Sequence, residues 1–77
     1  MIGRILRKMR IDSSLSQTEL AKLLSVDQTT LSGWERGYRE PTFEAIEKIA
    51  TLCSYEINFT NKMNGEVINS KNIARKE

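Results

Sequence analysis

The sequence predicts a small, mainly α-helical bundle of four helices followed by a C-terminal β-hairpin. Three observations carry that expectation. Apolar residues recur at helical spacing through residues 2–53, polar caps or a glycine punctuate the stretches they form, and after Cys53 the spacing changes to alternation. A chain of 77 residues holds one domain, and a core of that size is marginal, so good caps, helix packing or dimerisation must supply the rest.

The first helix reads from about Ile2 to Arg10, with Ile2, Ile5, Leu6 and Met9 on one face, Arg4, Arg7 and Lys8 on the other, and Asp12-Ser13-Ser14 breaking it. Ser16-Gln17-Thr18-Glu19 is a capping box: Ser16 caps the free amides and Glu19 reaches back to Ser16. Leu20, Ala21, Leu23 and Leu24 continue a second helix from about Gln17 to Leu24, and Ser25-Val26 makes a tight connection. Asp27 suits the N-cap of a third helix, from about Gln28 to Arg36, with Leu31 and Trp34 on its apolar face and Gly37 stopping it. Thr42 caps a fourth, from about Phe43 to Cys53, with Phe43, Ile46, Ile49, Ala50 and Cys53 facing inward. The expected core adds Ile5, Leu6, Met9, Leu15, Leu20, Ala21, Leu24, Val26, Leu31 and Trp34.

Beyond it, Tyr55, Ile57 and Phe59 alternate with polar residues, Asn64-Gly65 is a hairpin signal, and Glu66 to Asn69 forms the returning strand. Alternation after the turn is too weak to fix the register. Residues 1–54 therefore form a helical unit, 55–69 a hairpin and 70–77 a polar, flexible tail.

Composition narrows the function classes. No apolar run approaches the ~20 residues of a membrane span, and the opening residues do not form a secretory signal, which places the chain in the cytoplasm. Cys53 is the only cysteine and histidine is absent, so a disulfide framework, a structural zinc site and His-based catalysis are excluded within one chain. Cys53 reads as a small buried hydrophobe rather than a redox or metal group. No cluster of acid, base and nucleophile emerges, so neither enzymatic activity nor a metal or other cofactor is expected. The net charge of +2 is unevenly placed. Arg4, Arg7, Lys8 and Arg10 open the chain without an acid, Arg36 and Arg39 lie mid-chain, Lys71, Arg75 and Lys76 lie in the tail, and acids concentrate between Glu40 and Glu56. Charge alone fits a basic binding surface and a solvated surface equally well.

Two short helices joined by a tight turn form a helix-turn-helix, although any small bundle contains such pairs. The residues sharpen the reading. Leu15-Ser16-Gln17-Thr18-Glu19-Leu20-Ala21, Leu31-Ser32, Trp34-Glu35-Arg36-Gly37, Arg39-Glu40-Pro41-Thr42 and Lys48-Ile49-Ala50 closely resemble the Cro/repressor family, also called the xenobiotic-response-element family. Ile2-Gly3 and Arg10 fit that family's first helix, and the resemblance covers roughly residues 2–53.

The resemblance implies a lambda-repressor-like bundle that binds double-stranded DNA, with the third helix in the major groove and its first residues at base edges. Gln28, Thr29 and Ser32 are then the candidate base contacts. Gln28 can bond adenine N6 and N7, and Thr29 offers a hydroxyl and a methyl. Without the resemblance these are merely polar residues on a surface helix. Backbone contacts fall to Ser16 and Gln17, where free amides and a positive dipole end suit a phosphate, to Thr30, and to Arg36, Tyr38 and Arg39 after the recognition helix. Such contacts position the domain without reading sequence. The resemblance further implies that Arg10 and Glu35 form an internal ion pair tying the first helix to the third.

Three positions depart from the family pattern, one of them Cys53, which stands where relatives carry a core aliphatic. Ser25 replaces the usual turn glycine and, if left-handed, carries strain of about 1 kcal/mol. Gly33 stands where relatives carry a long polar side chain; it costs about 1 kcal/mol in a helix interior. It either lets the backbone approach DNA or removes a base contact. Trp34 can stack bases in principle, but its inward position makes it a packing residue.

Relatives often end in a dimerising fifth helix, where this chain offers a hairpin. A lone ribbon is marginal and its edges need cover. Residues 55–69 are therefore expected to pair with the same segment of a second subunit, the alternative being packing on their own domain. Such a homodimer would set two recognition helices about one DNA turn apart over a near-palindromic operator. The implied function is sequence-specific transcriptional regulation, as a repressor of a phage, mobile element or bacterium. An antitoxin binding its own operator is the alternative. A DNA-independent interaction domain is a third reading, marked by the lack of salt-dependent DNA binding.

Overall fold

Among the described residues, four helices and one short hairpin follow in chain order: α1 (Ile2–Asp12), α2 (Gln17–Leu24), α3 (Gln28–Arg36), α4 (Phe43–Leu52), β1 (Phe59–Thr60) and β2 (Val67–Ile68). The structure is a computed structural model and describes residues 1–71. The mainly helical bundle with a terminal hairpin is the architecture that the spacing predicts. Of the tail, residues 72–77, including Arg75 and Lys76, lie outside the described residues.

Helix starts follow their caps. The capping box of α2 is complete: Ser16 Oγ accepts from Glu19 N at 3.0 Å and Glu19 Oε1 accepts from Ser16 N at 2.8 Å. Those bonds, the backbone one foremost, hold the Glu19 carboxyl below its ordinary range. Thr42 Oγ1 accepts from Ala45 N at 3.1 Å at the head of α4. Asp27 departs from expectation. It occupies the N-cap of α3, yet its side chain makes no cap hydrogen bond; its carbonyl takes the Thr30 and Leu31 amides instead, at 3.0 and 3.2 Å.

Helix ends share one device. Ser14, Ser25, Gly37 and Ser54 all have positive φ, at 59°, 60°, 83° and 63°. After each, the next amide reaches back five residues: Leu15 to Arg10, Val26 to Ala21, Tyr38 to Gly33 and Tyr55 to Ala50, at 2.8–3.2 Å. These are Schellman closures, which satisfy the last carbonyls of each helix. A left-handed serine costs about 1 kcal/mol, so the Ser14, Ser25 and Ser54 closures are strained where Gly37 is not. The sequence signals Ser25 and Gly37. Ser14 and Ser54 carry no such signal, and α1 accordingly runs past Arg10 to Asp12 before its closure.

The core gathers Leu6, Met9, Leu20, Ala21, Leu24, Leu31, Ile49, Ala50 and Cys53, with Ile2, Leu15, Val26, Trp34, Ile46 and Ile57 packed partly buried against it. Leu6, Leu20, Leu31 and Ile49 have no accessible surface. Two expected core residues are exposed, Ile5 at 47% and Phe43 at 50%. The reason for Ile5 is Gly3. A Cβ at Gly3 would stand 2.5 Å from the Trp34 carbonyl oxygen and 2.6 Å from that of Glu35, so α1 meets α3 backbone to backbone. At about 100° per residue the buried stripe therefore turns toward Gly3 and Arg10, and Ile5 falls on its margin. Phe43 turns to the hairpin instead, its ring centroid 6.4 Å from that of Phe59.

The hairpin differs from the sequence reading in extent and in turn. Tyr55 and Ile57 are not on a strand: the Tyr55 amide closes α4, and its hydroxyl donates to Asp12 Oδ2 at 2.8 Å. The antiparallel register pairs Phe59 with Ile68 and Thr60 with Val67. Asn64-Gly65 does not make a two-residue turn. Asn61 and Glu66 close a longer loop, with Asn61 N donating to Glu66 O and Gly65 N to Asn61 O, both at 2.7 Å. The Asn61 and Asn64 side chains accept from Met63 N and Glu66 N, so asparagine geometry outweighs the dipeptide signal. At the end of the described residues, Asn69 Oδ1 accepts from Lys71 N at 3.0 Å, and Ser70 and Lys71 are helical.

Replacing Gly3 by alanine tests the α1–α3 approach. Without a close approach alanine would stabilise the helix by up to about 1 kcal/mol. The observed contact instead leads us to expect a loss of about 1–3 kcal/mol in urea unfolding. A stabilised variant would show that the helices do not meet there.

Candidate nucleic-acid interface

The first two turns of α3 sit on the surface because its other face is fully used. Leu31 and Glu35 are buried and Trp34 is partly so, which leaves Gln28, Thr29 and Arg36 exposed and Ser32 at the margin. Thr30 is half-buried on the flank. The structure thus presents Gln28, Thr29 and Ser32 on one outward strip at the head of α3.

Behind that strip runs a chain of polar contacts across three helices. Arg10 Nε donates to Glu35 Oε2 at 2.7 Å and Arg10 Nη2 to Glu35 Oε1 at 3.0 Å, a bidentate pair whose members are 9% and 7% exposed. Arg10 Nη1 also donates to Leu15 O at 2.9 Å, tying the α1–α2 turn to the same group. The carboxylate raises the pKa of Arg10 further above its already high ordinary value. Gln17 Nε2 donates to Glu35 Oε1 at 3.0 Å, and Gln28 Nε2 donates to Gln17 Oε1 at 2.7 Å.

This order follows from chemistry. An ionised carboxylate only accepts, so Gln17 must turn its amide nitrogen to Glu35 and its oxygen to Gln28. Gln28 must then give one N–H to Gln17, which leaves its second N–H and its carbonyl oxygen for a partner outside. The sequence reading places Gln17 at the mouth of α2 but misses this relay. The participants lie on separate helices, and no spacing rule links them.

The remaining candidates divide. Ser16 is exposed, but its hydroxyl oxygen is engaged as a cap, so its own O–H and the neighbouring amides of Gln17 and Thr18 are what it can offer. Arg36 and Tyr38 come together at the end of α3: the guanidinium carbon lies 5.0 Å from the ring centroid, and Nη2 donates to the hydroxyl at 3.4 Å. Arg39 packs its stem on Gly33. Gly33 is buried, so it provides no open backbone for DNA to approach.

Of the opening basic cluster, Arg4 and Arg7 are exposed, whereas Lys8 bonds Asp12 at 3.0 Å. Asp12 also accepts from Tyr55, and together the two partners, Lys8 first, hold its carboxyl below the usual range. Among the described residues no helix is long and apolar enough to cross a membrane, and no group of His, Cys, Asp and Glu gathers as a metal site.

Comparison with known proteins agrees with this geometry. Residues 6–59 match the helix-turn-helix family. The chain is 33% identical to an ImmF control region 10 kDa protein of Bacillus phage phi105, over 74% of this chain and 63% of that one. It is 27% identical to the HTH-type transcriptional regulator ImmR of Bacillus subtilis, over 92% of this chain and 54% of that one. It is 30% identical to the cryptic phage CTXphi transcriptional repressor RstR of Vibrio cholerae, over 74% and 51%. The chain thus spans between 51% and 63% of the length of these relatives.

The buried pair makes an asymmetric prediction. Glu35→Ala strands a buried guanidinium and should cost about 3–5 kcal/mol in chemical denaturation. The double replacement Arg10→Met with Glu35→Leu should cost far less, because no buried charge remains. Equal losses in the two variants would mean that the pair does not act as a unit.

Proposed function

Because the chain belongs to the Cro/repressor-type helix-turn-helix family, we propose that it binds double-stranded DNA through α3 and regulates transcription as a repressor. The observation that supports this most is the state of Gln28. It is exposed at the head of α3, and its bond to Gln17 leaves one donor and one acceptor side by side and outward. Adenine offers the complementary pair, N7 accepting and N6 donating, at the major-groove edge. Thr29 and Ser32 complete the reading strip. Ser16, the first amides of α2, Gln17, Thr30, Arg36 and Tyr38 hold the flanking phosphates and set the register of the helix in the groove. Among the relatives, one is named a transcriptional regulator and one a transcriptional repressor, which supports the same role here over that of an antitoxin.

A second subunit fits this reading. Among the described residues the sheet has two strands, and Phe59, Val67 and Ile68 are 57%, 43% and 42% exposed. A ribbon of that size is marginal alone. We infer that residues 55–69 meet the same segment of a second copy, while Phe59 packs on Phe43 of its own α4. The paired domains would then straddle a near-palindromic operator.

Selection of bound sequences from random duplex DNA tests the first proposal. Gln28→Ala should lose ~1–3 kcal/mol on the selected sites and relax the preference at one adenine position. Equal binding by both proteins to every selected duplex would remove Gln28 from the readout. For the second, sedimentation at high micromolar concentration should show a dimer that Ile68→Lys converts to monomer. A monomeric wild type would rule the hairpin interface out.

A further inference from the structure

Gly33 lies on the outward side of α3, one turn beyond Thr29 and one turn before Arg36, both exposed. A glycine there should leave bare backbone. It is buried instead, because the side chain of Arg39 lies over it: a Cβ at Gly33 would stand 3.8, 3.4 and 3.3 Å from Cβ, Cγ and Cδ of Arg39. The arginine stem therefore lies directly against the place a side chain would take, close enough that a methyl group there would require it to give by a few tenths of an ångström.

The backbone fixes this arrangement independently. Gly37 takes a left-handed φ of 83° and turns the chain back along the helix. The amides of Tyr38 and Arg39 then both donate to the Gly33 carbonyl, at 2.9 and 3.2 Å. Arg39 is thus anchored at its main chain and along its stem to the very residue it covers. Its guanidinium makes no hydrogen bond or ion pair with the described residues and lies in an exposed residue.

We propose that Arg39 is a base-reading residue rather than the backbone contact that the family resemblance implies, supplying from the loop the side chain that α3 lacks at Gly33 and donating to guanine in the major groove. This rests on the reading that α3 enters DNA. Guanine is the base because its O6 and N7 are both acceptors, matched by the forked donors of a guanidinium. The proposal separates Arg39 from Arg36, whose guanidinium is already stacked on Tyr38. It also resolves the two uses of Gly33 left open by the sequence, since the glycine makes room for another residue's stem rather than for DNA.

The test is selection from random duplex DNA with wild type, Arg39→Ala, Gly33→Ala and the double variant. Arg39→Ala should lower the discrimination for guanine at one position of each half-site by about ten- to a hundredfold and leave the other positions unchanged. Gly33→Ala requires the stem to give by a few tenths of an ångström and should disturb the same position, to a smaller extent. The double variant should match Arg39→Ala alone, because a stem that is absent cannot be displaced. Uniform weakening of all sequences by Arg39→Ala, with a shallower salt dependence, would make Arg39 a phosphate contact and overturn the proposal. A base effect of Arg39→Ala without one from Gly33→Ala would overturn the role of the glycine. If the wild type enriched no sequence, the DNA-reading function itself would fall. If a base position other than guanine changed, only the assignment made here would fall.

Discussion

The Glu35 carboxylate is where the structure is decided. It sits on the inner side of α3 and takes two bonds from Arg10 of α1 and one from Gln17 of α2. A buried charge is tolerable only when its lone pairs are met, so these partners cannot move apart without exposing or orphaning it. Together with the backbone approach at Gly3, it fixes both the distance and the rotation of α1 on α3. The same carboxylate sets the polarity of the amides that lead outward to Gln28. The structural ion pair and the exposed head of α3 are therefore one continuous object, and that surface inherits its orientation from the interior.

Much of the fold was legible because its signals are local. The capping box at Ser16, the Thr42 cap and the Gly37 stop place α2, α4 and the end of α3 within a residue or so of where they lie. What escaped is nonlocal or competes with a local rule. Ile5 has the spacing of a core residue, but the Gly3 approach rotates α1 away from it. Tyr55 alternates like a strand residue, yet its amide is the group that closes α4. Asn64-Gly65 reads as a tight turn, but the Asn61 side chain nucleates a wider one.

The candidate site divides along the same line. The outward strip at Gln28, Thr29 and Ser32 follows from helix phase once α3 is placed. The bonds between Gln28, Gln17 and Glu35, and the stem of Arg39 over Gly33, depend on how three helices and a loop meet. Composition carries neither. Gly33 was visible as an oddity only, because a sequence shows that a side chain is missing without showing what fills the gap.

Cys53 ends α4 inside the core at 6% exposure and is the only thiol of the chain. An alkylating reagent can reach it only when that end of the helix lifts away, so its labelling rate in native buffer measures how often the bundle opens. A single site leaves no ambiguity about which sulfur reacts. The domain thus carries its own reporter of local unfolding. Slower labelling in the presence of a bound partner would then read binding energy as lost breathing rather than as a new contact.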